Sequence, residues 1–126
     1  LRKMNEWNAE RNRIAARYKE NLKEVLEIEL PHTNEGNEHV YHLFVIKAKK
    51  RNELQSFFDQ EGICTLIHYP IPCHLQKAYA FLQYKKGDFP ITEALAEQIL
   101  SLPLYIGLKN DDIDYVCNKL ITFYKK

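Results

Sequence analysis

The residues best equipped for chemistry cluster in IHYPIPCH, Ile67–His74, with Cys64 just upstream. Cys64, His68, Cys73 and His74 offer thiol and imidazole ligands, the donor set that zinc prefers. Cys73 beside His74 offers a thiol next to a base, the raw material of a nucleophile. His68, Tyr69 and His74 offer hydrogen-bonding groups suited to a polar ligand. Spacing argues against the first two chemistries. Cys64 and His68 lie on a strand-like run, roughly 13 Å apart at about 3.3 Å per residue. Cys73 and His74 are adjacent, and neighbours on an extended chain point apart. No oxyanion-loop pattern accompanies Cys73. Cys64 and Cys117 sit in apolar patterns and read as small core residues.

Pro70 and Pro72 are the strongest local signal. Each fixes its own φ and holds the preceding residue, Tyr69 or Ile71, extended. The segment is therefore stiff and leaves a buried strand at a sheet edge. Both a structural turn and a loop that presents His68, Tyr69 and His74 in fixed directions fit that stiffness. His39 and His42 read as hydrogen-bonded histidines at a sheet rim. The four glycines are isolated, so no phosphate-cradling loop is present.

The elements that must position these residues follow from periodicity. Residues 1 to about 28 carry Met4, Trp7, Ile14, Tyr18, Leu22 and Val25 along one stripe, which predicts a long helix stopped by Pro31. Trp7 and Tyr18 are expected in a core or an interface. A polar loop, 31–38, follows. Val40–Ile46 predicts a strand. Asn52 with Gln55 predicts a capped helix through Phe57 and Phe58, closed by Gly62. Ile63–Ile67 predicts a second strand, and Leu75, Tyr79 and Leu82 a short helix. A turn over Lys85–Pro90 leads to a helix with Thr92 as N-cap and Glu93 in its first turn. Leu100–Tyr105 predicts a third strand. A last helix starts at Asn110, with Ile113, Val116, Cys117, Leu120, Ile121 and Tyr124 as its apolar stripe. The expected fold is α/β, a few-stranded sheet covered by helices.

Composition sets the limits. The chain has 126 residues, 45% of them hydrophobic, enough for one domain with a real core. A net charge of +1 gives no pull toward nucleic acid or an anionic membrane. No apolar run reaches the length of a membrane span. Three cysteines without a CxxC pair argue for a reducing compartment, so a cytoplasmic location is expected. The chain opens on Leu1 rather than Met, which leads to the expectation of a processed chain or a piece of a longer one.

The run YHLFVI…RNELQSFFDQEGICTLIHYPIPCHLQKAY…GDFPITEALAEQILSLPLY resembles the C-terminal region of the DegT/DnrJ/StrS family of pyridoxal-phosphate-dependent sugar-nucleotide aminotransferases. The leading LRKMNEWNAERNRIAARY resembles the helix that joins the family's large domain to its small one. The HYPxP block, the GDFP turn and the LSLP segment occur together and in order.

The resemblance implies the small-domain part of a type I aminotransferase fold. Residues 1–30 would be the connecting helix and residues 31–126 the small C-terminal α/β domain. It implies amino transfer, usually from glutamate, to a keto-sugar linked to a nucleotide, in surface-polysaccharide or amino-sugar biosynthesis. It implies a homodimer once the large domain is attached. The Schiff-base lysine and most ligands of pyridoxal phosphate would lie in that absent large domain, since the lysines here occupy surface-like positions. No catalytic residue is therefore expected in this chain, and the chain alone is expected to be inactive. His68 and Tyr69 match the family's HY pair beside the sugar-nucleotide pocket, and His74 matches a histidine a few residues on. These three are the expected substrate-binding residues. Cys73 departs from the residue expected at its position. The competing reading is a stand-alone, non-catalytic α/β binding module with IHYPIPCH as a rigid interaction loop.

Overall fold

Helix α1, Met4–Leu22, opens the structure, a computed structural model that describes residues 2–125. Leu1 and Lys126, the outer ends of the expected helix and small domain, lie outside those residues. Then follow β1 (Ile28–Glu29), β2 (Phe44–Ala48), α2 (Arg51–Gln60), α3 (Pro90–Gln98), β3 (Ile99–Leu102) and α4 (Asn110–Tyr124). Two short 3₁₀ turns, Cys73–Leu75 and Lys77–Leu82, stand between α2 and α3. The strands form one antiparallel sheet in the order β1-β2-β3. This is the expected α/β arrangement of a small sheet covered by helices.

One core holds it together. Ile14, Tyr18 and Leu22 of α1, Phe44 and Ile46 of β2, Leu54 and Phe58 of α2, Leu100 of β3 and Ile113 and Leu120 of α4 are fully buried within it. The strand period of two sends Phe44, Ile46 and Ala48 to this face. Tyr18 stacks on Phe44 with ring centroids 4.9 Å apart, and its hydroxyl donates to the Pro103 carbonyl at 2.9 Å. Burial pushes that phenol's pKa up, so it stays a donor. A polar rim closes the α1–α4 seam: Arg17 and Asn21 both donate to the Asp114 carboxylate.

The expected helix over residues 1–30 is shorter than its stripe. It ends at Leu22, where the Val25 amide turns back to the Leu22 carbonyl. The edge of β2 then captures the chain: Ile28 pairs with Ala48, and the Lys49 amide donates to Glu27. Met4 and Trp7 are exposed, and burial on α1 begins at Ile14.

The strand expected from Val40 starts at Phe44, because Tyr41 takes a positive φ of 46° and buries its ring against His39 and Phe44. Asn52 does not cap α2. Lys50 occupies the cap position, and the Asn52 side chain accepts from Arg51. Gly62 closes α2 as expected. Its φ is +72°, its amide donates to Asp59, and the Ile63 amide donates to Phe58 at 2.8 Å, the paired closure of a Schellman motif.

The strand expected over Ile63–Ile67 reduces to one antiparallel bridge, Leu66 to Ser101. The next pairing step outward would oppose Cys64 to Pro103, which has no amide hydrogen to give. Helix α3 starts at Pro90, not after Thr92. Proline suits the first helical position, and Glu93 rather than Thr92 caps the end by accepting the Phe89 amide.

Candidate functional site

The bridge at Leu66 aims the following residues. The Ser101 amide donates to the Leu66 carbonyl at 2.8 Å, and the Leu66 amide returns a bond to Ser101 at 3.3 Å. Ser101 is buried at the centre of the sheet edge, and its hydroxyl lies 2.9 Å from Nδ1 of half-buried His68. That bond fixes the ring and leaves Nε2 for another partner. Tyr69 follows across a cis peptide bond, packs edge-on to the His68 ring at 5.6 Å and is 72% exposed. Its hydroxyl therefore projects from a braced base.

His74 lies in a different setting. Its Nε2 is 3.0 Å from Oε1 of Glu93, and its side chain is 8% exposed. Its ring packs on Phe89, which packs in turn on Tyr84. Glu93 also accepts the Gly87 amide at 2.8 and 2.9 Å and the Phe89 amide at 3.3 Å. Burial alone would raise the Glu93 pKa. The Gly87 amide, the His74 ring and the Phe89 amide outweigh it and hold the carboxyl below its usual range.

The structure thus joins His68 to Tyr69 and turns His74 to a network of its own. Sequence reasoning missed Ser101 and the reach of Glu93. The usable signals were a serine inside an apolar strand and an acid three residues past Pro90.

The remaining candidates separate by exposure. Cys64 is exposed, not a core residue, because Ile63 and Thr65 take the inward positions beside it. Cys73 is also exposed, and Cys117 is buried with its thiol pKa pushed up to about 11 by desolvation. No group of three or more His, Cys, Asp or Glu among the described residues could hold a metal ion. His39 accepts the Tyr41 amide at 2.9 Å, whereas His42 is exposed.

A cavity of about 780 Å³ lies between β1 and the start of α2 and contains none of His68, Tyr69 and His74. Of its three lysines, Lys47 is already paired with Glu29 at 2.8 Å, and its Arg51 donates to the carbonyls of Ala96 and Ile99. Those contacts make it a structural junction. Around the HYPIP loop, Ile71, Tyr79, Phe81, Leu82, Tyr84, Phe89 and Ile91 are all exposed.

The chain's sequence and fold match one family of aminotransferases. Residues 1–121 match the DegT/DnrJ/EryC1/StrS aminotransferase family, and the chain belongs to it. It is 42% identical over 116 residues to the erythromycin biosynthesis sensory transduction protein EryC1 of Saccharopolyspora erythraea, covering 92% of this chain and 32% of that protein. It is 41% identical over 104 residues to dTDP-3-amino-3,4,6-trideoxy-alpha-D-glucose transaminase of Streptomyces venezuelae, covering 82% and 27%. The crystal structure of S. venezuelae DesV in complex with a ketimine intermediate overlays with a TM-score of 0.96 at 36% identity, over 100% of this chain and 34% of that one. The chain spans about a third of the length of the relatives it matches.

The described residues do not fit a pyridoxal phosphate site by themselves. No described lysine is buried, and each of the four glycines stands alone at a turn with open space beside its Cα. No step through that cofactor can be built from these side chains.

Proposed function

We propose that this chain is the small domain, with part of the connecting helix, of a pyridoxal-phosphate-dependent aminotransferase acting on a nucleotide-linked keto-sugar. Family membership across residues 1–121 is the observation that carries the reading. The remaining two thirds of such an enzyme would bring the Schiff-base lysine and the cofactor's phosphate ligands. Glutamate is the proposed amino donor, a homodimer the proposed assembly and amino-sugar or surface-polysaccharide synthesis the proposed setting. The proposed location is the cytoplasm; among the described residues no helix is long and apolar enough to cross a membrane.

In this reading His68 and Tyr69 hold the substrate. Ser101 holds Nδ1 of His68 and leaves Nε2 to bond the substrate, and the hydroxyl of exposed Tyr69 meets a sugar or diphosphate oxygen. His74 contributes indirectly, by bracing the loop through Glu93.

The test uses the protein with its upstream coding sequence, which should specify a large domain with a Schiff-base lysine. Tyr69→Phe and His68→Ala should each weaken handling of the nucleotide-sugar by about 1.5–3 kcal/mol, the worth of a hydrogen bond to a charged group, while leaving cofactor absorbance intact. Kinetics unchanged in both variants would remove these two residues from the site.

A further inference from the structure

Residues 70–88 form a lobe in which no residue is buried as a whole, although the His74 side chain is. Its own hydrogen bonds are short-range: Leu75 to Pro72, Gln76 to Cys73 and Ile71, Tyr79 to Gln76, Gln83 to Ala80, and Lys85 with Asp88. These bonds shape the lobe without attaching it. Among the described residues, every hydrogen bond from this lobe to the rest of the chain ends on one group, the Glu93 carboxylate. His74 reaches it from near one end of the lobe and Gly87 from near the other, with Phe89 just beyond.

We propose that Glu93 is a positioning residue whose carboxylate latches both ends of the 70–88 lobe to α3 and so sets the direction of Tyr69. Three observations support it. The Glu93 side chain is 13% exposed, and its bond to His74 is partly buried. The His74 ring packs at a tilt on Phe89 and Phe89 packs edge-on to Tyr84, so the bond to His74 also ties in this aromatic chain. Pro70 and Pro72 stiffen the link from Tyr69 to His74, so pinning His74 pins the loop that leaves the His–Tyr pair. The latch is anionic, and its pKa direction keeps it so across the neutral range.

The latch stands on these contacts; its effect on substrate rests on the aminotransferase reading. The test therefore has two readouts in the full protein. Amide hydrogen exchange at Gly87 and Phe89 reads the latch, with the Ile46 amide of β2 as the folding control. In Glu93→Ala, exchange at Gly87 and Phe89 should rise about tenfold or more while Ile46 is unchanged. Glu93→Gln keeps one carbonyl acceptor and should show a smaller rise at the same amides. Steady-state kinetics read the positioning: Glu93→Gln should raise KM for the nucleotide-sugar with kcat little changed.

Unchanged exchange at Gly87 and Phe89 in Glu93→Ala overturns the latch. An equal rise at Ile46 in both variants overturns it too, since the carboxylate would then be a general stabiliser. A local rise with unchanged KM overturns the positioning role. Absence of transamination in the unmutated full protein sinks the aminotransferase reading and leaves hydrogen exchange to judge the latch.

Discussion

Phe44 and Phe81 are the same side chain in opposite circumstances. Phe44 is fully buried, stacked on Tyr18 where α1 meets β2; Phe81 is 73% exposed on the 70–88 lobe. The contrast extends to their neighbourhoods. The body buries a core between its helices and sheet, and leaves Met4, Trp7, Leu26, Leu66 and Tyr105 among its exposed apolar residues. The lobe and its borders show Tyr69, Ile71, Tyr79, Leu82, Tyr84 and Ile91 to solvent. The body is thus specified by contacts within the chain. The lobe is shaped locally, anchored at one carboxylate, and left without cover.

The comparison breaks most readily at Phe44. Phe44→Ala should cost about 3–5 kcal/mol, read as a loss of urea midpoint, because a large cavity opens in a core that cannot collapse around it. A cost below about 1 kcal/mol would mean that the body is no better packed than the lobe.

A smaller, pH-dependent effect tests the polar rim of the α1–α4 seam. The hydrogen bond from Arg17 holds the Asp114 carboxyl below its ordinary 3.8, with Asn21 adding to the effect. A depressed folded value makes the contribution complete above the unfolded value and progressively lost as pH falls through the folded one. Unfolding midpoints measured across pH should therefore hold from neutrality to about pH 5 and drop below it. In Asp114→Asn part of that drop should disappear, and the difference should shrink at high salt because the pair is partly exposed. Identical acid profiles would remove this ion pair from the seam's stability.

The smallest effect is expected at Phe81. In the 126-residue chain, Phe81→Ala should change stability by no more than about 0.5 kcal/mol. A cost as large as that at Phe44 would show that the lobe is packed after all.

How far the residues foretold this depends on the range of each interaction. The α4 stripe could be read directly, since Ile113, Val116, Cys117 and Leu120 are buried at helical spacing. So could the Gly62 stop, which needs only a positive φ and two local bonds. The stiff His68–His74 loop follows from two prolines and needs nothing beyond its neighbours. The β1 strand could not be read. Ile28–Glu29 continues a helical stripe in sequence and becomes a strand only where β2 offers an unpaired edge. Ile63–Ile67 failed in the other direction, since its β-like composition meets a partner strand that ends at Leu102, just before Pro103.

The site divides along the same line. The adjacency of His68 and Tyr69 and the family to which the chain belongs were both carried by contiguous residues. Ser101 behind His68 and Glu93 between His74 and Gly87 were not, because each contact joins residues far apart along the chain. Local sterics acts within a few residues and can be read from a string. Hydrogen bonds between distant segments exist only once the sheet and α3 have brought those segments to within about 3 Å.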